Sequence, residues 1–229
     1  MTDQTTETSA PAERRAPSTP LIAALVVIVV ITGALLFLVF NQLVNTATDT
    51  GAALVDPANA FDGGTRIDPP RPLGDFTLTS HTGEPLSLSD LKGKPTLLYF
   101  GYTFCPDVCP MTLGDYVRVK AALGDRGADV NYVMVSVDAK RDTPARLARY
   151  LGGFDPAFIG LTGDELTLRR IGVDYGLFFE IHDDGQTENY LVDHTASIFL
   201  VDPEMRLSTI YAFSTEPDVI AADLREMIG

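Results

Sequence analysis

Cys105 and Cys109 are the only two cysteines in the 229 residues. They stand in the run Gly101-Tyr-Thr-Phe-Cys-Pro-Asp-Val-Cys-Pro-Met111, with three residues between them. Two thiols at that spacing can close a disulfide or grip one soft metal ion; thiolates favour Cu(I), zinc and iron–sulfur clusters. On a helix, positions i and i+4 share a face, so the pair points one way if the first turn begins here. Pro106 and Pro110 suit a helix start, because proline has no N–H to lose there and its φ is already helical. A helix N-terminus carries about half a positive charge, which favours thiolate over thiol.

The elements around the pair are those needed to present it. Pro95-Thr-Leu-Leu-Tyr-Phe100 is apolar and rich in β-formers, a buried strand continuing to Tyr102. Strand, turn, cysteines, helix is the active-site layout of a thioredoxin-like fold. The helix after the cysteines reads as amphipathic over Met111–Leu123. Val130–Val137 is a near-continuous apolar run, a central parallel strand. Thr143-Pro144 is an N-cap with proline at the first helical position, opening a helix through Tyr150, and Asp164 caps another through about Val173. Short strands are expected at Phe76–Ser80, Leu86–Leu88, Phe158–Leu161, Leu177–Ile181, Ala196–Val201 and Arg206–Phe213, with a closing helix over Glu216–Ile228. The polar loop His182–Asn189 joins two of them. Strands alternating with helices give an α/β domain with a mixed sheet.

Composition bounds the rest. Residues 1–20 are polar and rich in Thr, Ser, Ala and Pro, and read as a disordered cytoplasmic N-terminus. Residues 21–40 carry no charge; about 20 helical residues span the roughly 30 Å of a bilayer core. A cleaved signal peptide has a shorter apolar region and a small-residue cleavage site, which Asn41–Asn45 does not supply, so the reading is a transmembrane anchor. Arg14 and Arg15 precede it and the next basic residue is Arg66, so the positive-inside rule puts the N-terminus in the cytoplasm. The expected location is the cell inner membrane of a bacterium, single-pass, with the C-terminal domain in the periplasm; the mitochondrial counterpart is the intermembrane space. Residues 41–71, ending in Asp68-Pro-Pro-Arg71, read as a linker, and 72–229 as one domain. A net charge of −14, from 17 basic and 31 acidic residues, argues against nucleic acid as a partner.

The run GYTFCPDVCP at 101–110, followed by Tyr190-Leu-Val-Asp-His-Thr195, resembles the Sco/SenC family of copper chaperones. Further matches are Leu78–Gly83, Val135–Asp138 with Arg141-Asp-Thr143, Gly160–Gly163 and Phe199–Pro203. The resemblance covers about 72–229 and implies a membrane-anchored thioredoxin-like protein that helps build the binuclear copper centre of cytochrome c oxidase. It implies that His194 completes a Cys2His copper site with Cys105 and Cys109, and that the loop ahead of the histidine is mobile. It also implies a supporting role near copper for Asp138, whose plainer reading is a turn or N-cap carboxylate. Asp193 stands where it would orient His194 as a hydrogen-bond partner. Ala139 departs from the proline common there in the family. His81 reads as a turn residue, His182 as a solvated one, Met111 as helix packing, and Asp107 as facing solvent or the helix N-terminus.

Three functions compete. A metallochaperone takes copper on Cys105, Cys109 and His194 and passes it to cytochrome c oxidase subunit II, needing no turnover chemistry. A thiol–disulfide oxidoreductase uses Cys105 and Cys109 as a redox disulfide against the cysteine pair of that subunit. A peroxidase needs one activated cysteine with a nearby Thr and Arg; Thr103 is present, but no arginine is placed by motif. A reductase has no need of a distant histidine, and its usual motif has two intervening residues, so the metallochaperone fits best. Further partners on that reading are other periplasmic copper chaperones or thioredoxin-like reductants.

Overall fold

The computed structural model describes residues 28, 31–42, 60–61, 63–183, 185 and 189–229. The chain divides into two units, Met1–Ala53 and Leu54–Gly229. In the first, helix α1 (31–42) is exposed along its length. Among the described residues no helix is long and apolar enough to cross a membrane. This corrects the expected inner-membrane, single-pass location. The rest of the expected span at 21–40, the N-terminus at 1–20 and most of the expected linker lie outside the described residues.

The second unit is built on a mixed sheet. Its strands are β1 (Ala60–Phe61), β2 (Gly64–Pro72), β3 (Thr77–Ser80), β4 (Pro85–Ser87), β5 (Thr96–Gly101), β6 (Asn131–Ser136), β7 (Ile159–Thr162), β10 (Ile198–Val201) and β11 (Arg206–Tyr211). Two more, β8 (Phe179–Ile181) and β9 (Val192–His194), form a separate hairpin. The main sheet runs β1-β2-β11-β10-β5-β6-β7-β3-β4. β5, β6 and β7 are parallel neighbours, and β10 lies antiparallel to β5. Every residue of β5 is buried, as are all but the first of β6. A parallel strand covered on both faces must be apolar throughout, which is how both runs read. The helices are α2 (Val108–Leu123), α3 (Pro144–Gly152), α4 (Glu165–Tyr175) and α5 (Pro217–Ile228). α2 packs against α5, and α3 against β7. This is the expected thioredoxin-like α/β core, with Cys105 between β5 and α2 and Cys109 in the first turn of α2.

The local capping signals hold. Thr143 Oγ1 accepts the Arg146 N–H at 3.3 Å with Pro144 following, and Asp164 Oδ1 accepts the Thr167 N–H at 3.0 Å. Three differences exceed two residues. α2 starts at Val108, one turn before the expected Met111. The tail of the expected 41–71 linker is not a linker: β1 and β2 join the sheet, with β2 antiparallel to β11. Its prolines hid it, since proline cannot donate to a ladder; the pairing shifts register between Leu207 and Thr209. Finally, β9 lies in the stretch taken as the end of a polar loop.

Candidate metal centre

The chain leaves the C-terminal end of β5 at Gly101, turns through Tyr102–Phe104, and presents Cys105 before α2 begins. The Cys105 N–H bonds the Tyr102 carbonyl at 3.3 Å. Asp107 takes the N-cap position but makes no side-chain cap bond. The cap is sulfur instead: the Cys109 N–H points at Cys105 Sγ, 3.5 Å away. Cys105 is therefore part-exposed at a helix N-terminus, whereas Cys109, in the first turn, is fully buried. Both thiols are free.

His194 arrives from 85 residues downstream. It ends β9, paired with Phe179 across the hairpin. Side chains alternate along a strand, so Val192 and His194 face one way and Asp193 the other. Val192 is buried, and its N–H bonds the Tyr102 hydroxyl at 3.2 Å. His194 Nε2 lies 3.5 Å from Cys109 Sγ. Its Nδ1 is 3.1 Å from the Thr195 carbonyl. A carbonyl can only accept, so the ring proton sits on Nδ1 and the Nε2 lone pair faces the sulfurs. Tyr99 and Tyr102 hold the imidazole edge-on, with centroids at 5.9 and 5.7 Å.

The donor atoms of Cys105, Cys109 and His194 all lie within 4.8 Å of one another. Ligand bonds of about 2.0–2.3 Å in a trigonal arrangement require separations of roughly 3.5–4 Å, so the set closes on one ion with small shifts. Two thiolates and an imidazole suit Cu(I), with imidazole also tolerating Cu(II).

The two thiols are electrically unequal. The hydrogen bond from Cys109 holds the Cys105 thiol far below its ordinary range, to about 3, against the opposing effect of burial, with the Asp107 and Cys109 N–H groups assisting. Acting as that donor, and buried besides, Cys109 is pushed well up. Tyr99 donates its hydroxyl to Cys109 Sγ at 3.1 Å. Burial raises the Tyr99 phenol, so it stays a donor.

The supporting residues are distributed differently from the expectation. Asp193 does not reach His194; it bonds His182 Nε2 at 2.8 Å on the exposed side of the hairpin, which raises the His182 pKa. Asp138 is fully buried and accepts from the Tyr190 hydroxyl at 2.6 Å and from Arg141. It thus supports the histidine loop rather than a donor atom. His81 is structural, its Nδ1 accepting the Gly160 N–H at 3.1 Å. Met111 is half exposed rather than packed. Sequence reasoning missed Tyr99, Tyr102, Arg141 and Asp142. Buried Asp142 accepts from Thr103 N at 2.9 Å, Thr103 Oγ1 at 2.6 Å and Ser136 Oγ at 2.7 Å, fixing the start of the cysteine loop. Burial raises its carboxyl pKa. One signal was available for Tyr99: a phenol inside a wholly buried strand must find a polar partner.

Comparison with known proteins agrees with this geometry. A family model described as SCO1/SenC matches residues 65–229. Protein SenC of Rhodobacter capsulatus is 39% identical over 151 residues, 65% of this chain and 66% of that protein. The mitochondrial SCO2 homolog of Mus musculus is 34% identical over 159 residues, covering 68% of this chain and 62% of that one. Bacterial and mitochondrial proteins thus both stand among the relatives. The structure of Bradyrhizobium japonicum ScoI with copper bound superposes with a TM-score of 0.63 at 38% identity, covering 68% of this chain and 99% of that chain.

Proposed function

The chain belongs to the SCO1/SenC family, and on that footing we propose that it is a copper-binding metallochaperone of cytochrome c oxidase assembly. Copper is its cargo, held by Cys105, Cys109 and His194 and passed to the binuclear copper centre of oxidase subunit II. The observation that carries the reading is the convergence of two sulfurs and one imidazole nitrogen within 4.8 Å. The copper-bound ScoI neighbour supports it. Cys105, part-exposed and already ionised, meets the incoming ion first. Cys109 then gives up its proton, and His194 completes the site through Nε2. The imidazole is the neutral donor, so it is the ligand most readily exchanged for an acceptor thiolate on delivery.

The inequality of the thiols also supports a second role, as a thiol–disulfide oxidoreductase. The Cys105 thiolate attacks a partner disulfide, forming a mixed disulfide and releasing one partner thiol. Cys109 then loses its proton and attacks Cys105 Sγ, closing the Cys105–Cys109 disulfide and releasing the second thiol. Two electrons pass to the partner, whose cysteines are then fit to take copper.

Competitive Cu(I) titration of the reduced protein against a chelator tests the first reading. It predicts one equivalent bound, with His194→Ala weakening affinity by about tenfold or more, near 1.4 kcal/mol, and Cys105→Ser abolishing competition. Binding that ignores His194, or none at all, leaves the oxidoreductase.

A further inference from the structure

We propose that Arg141 is a positioning residue that bolts the histidine hairpin to the cysteine loop, and so decides whether copper is held by three ligands or by two. The inference rests on the copper reading above. Its starting point is how weakly the backbone holds His194. β8 and β9 pair only with each other, three residues against three, outside the main sheet. A lone two-stranded hairpin is marginally stable at best. Its seat on the domain therefore depends on side chains.

Arg141 supplies a charged contact that reaches both halves of the donor set. Its side chain is 7% exposed and pairs with the fully buried Asp138. Nη1 donates to the Tyr190 carbonyl at 2.8 Å, and the guanidinium carbon lies 3.5 Å from the Tyr190 ring centroid. The same carbon is also 4.5 Å from the Phe104 ring centroid and 5.7 Å from that of Tyr102. Phe104 immediately precedes Cys105, and Tyr190 leads into β9 and His194. Asp138 completes the bolt by accepting the Tyr190 hydroxyl at 2.6 Å. Apolar burial of Phe179 and Val192 and the Tyr99 and Tyr102 rings against His194 also seat the hairpin, and three further polar ties join them. Val192 N–H bonds Tyr102, Arg169 donates to the Phe179 carbonyl at 3.3 Å, and Lys140 pairs with Asp183 on the surface. A buried ion pair adds little stability over apolar packing but can fix a unique arrangement, and a planar five-donor fork is what bridging Asp138 and a carbonyl at once requires.

The experiment compares Cu(I) affinity for the full-length protein and its Arg141→Lys, Tyr190→Phe, His194→Ala and Arg141→Lys/His194→Ala variants. Nitrogen coupling in the spectrum of the Cu(II)-loaded forms is read alongside. The wild type and His194→Ala alone decide whether the copper reading stands. Given that it stands, Arg141→Lys is expected to weaken binding about tenfold, to lose the nitrogen coupling, and to add nothing on the His194→Ala background, since linked residues are non-additive. Tyr190→Phe keeps the guanidinium and loses only the bond to Asp138, so it is expected to weaken binding about threefold, and it carries the test if Arg141→Lys does not fold. The inference is overturned if Tyr190→Phe matches wild type, if Arg141→Lys retains the nitrogen ligand, or if its loss adds in full to that of His194→Ala.

Discussion

Tyr99 donates its hydroxyl to Cys109 Sγ across 3.1 Å, with both side chains fully buried. A metal-bound sulfur that accepts a hydrogen bond gives less electron density to the metal, and hydrogen bonding at a cysteine sulfur tunes copper potentials. Tyr99→Phe keeps the ring against His194 and removes only that donor. We expect a lower Cu(II)/Cu(I) potential and a lower-energy sulfur-to-Cu(II) charge-transfer band, at a stability cost of about 1 kcal/mol. Voltammetry and visible absorption check this; an unchanged band would mean the hydroxyl is spectator packing.

Gly101 sets the space in which that bond forms. A Cβ there would lie 2.5 Å from Tyr99 Cε1 and 2.9 Å from Cys109 Sγ. Gly101→Ala is therefore an overpacking change directed at the site, expected to cost about 1–3 kcal/mol. Thermal unfolding of the copper-free protein should show a Tm several degrees lower, and Cu(I) affinity should fall with it.

The unequal thiols fix the pH dependence. Cys105 is held far below the ordinary thiol range by the Cys109 hydrogen bond, and Cys109 is raised by the same bond and by burial. Between about pH 5 and 8 the pair thus holds one proton, on Cys109, whereas free thiols near 8.5 would hold close to two at neutral pH. Loading Cu(I) on both sulfurs releases that one proton, so affinity rises about tenfold per pH unit across the window. A pH-stat titration should record one proton per copper from the thiols, and Cys105 should alkylate at pH 5. Release of two protons, or no alkylation below neutral pH, would count against the assignment.

The elements around the site differed in how far they could be read from sequence. β5, β6 and the helix caps at Thr143 and Asp164 are set by neighbours within a few residues, and pattern alone located them. The cysteine pair and His194 were legible as motifs. What could not be read is what long-range contact decides. β9 is three residues long, too short for any periodicity, yet its alternation aims His194 inward and Asp193 outward. β2 was masked by its prolines. Asp138, legible only as a supporting or turn carboxylate, and Arg141 and Asp142, legible only as pattern matches, are buried against Tyr190, Phe104 and Thr103, far away in the chain.

The outward aim of Asp193 makes its own prediction. Its partner is His182, in an exposed pair, and such pairs contribute little. Asp193→Asn should leave Cu(I) affinity within about twofold of wild type. A larger loss in the competitive titration would restore Asp193 as the residue that orients His194.

The most direct test of the three-donor site is X-ray absorption at the copper edge of the reduced protein loaded with one equivalent of Cu(I). The account predicts two sulfur ligands and one imidazole nitrogen, the nitrogen vanishing in His194→Ala. Two sulfurs with no nitrogen in the wild type, or a spectrum unchanged by His194→Ala, would contradict it.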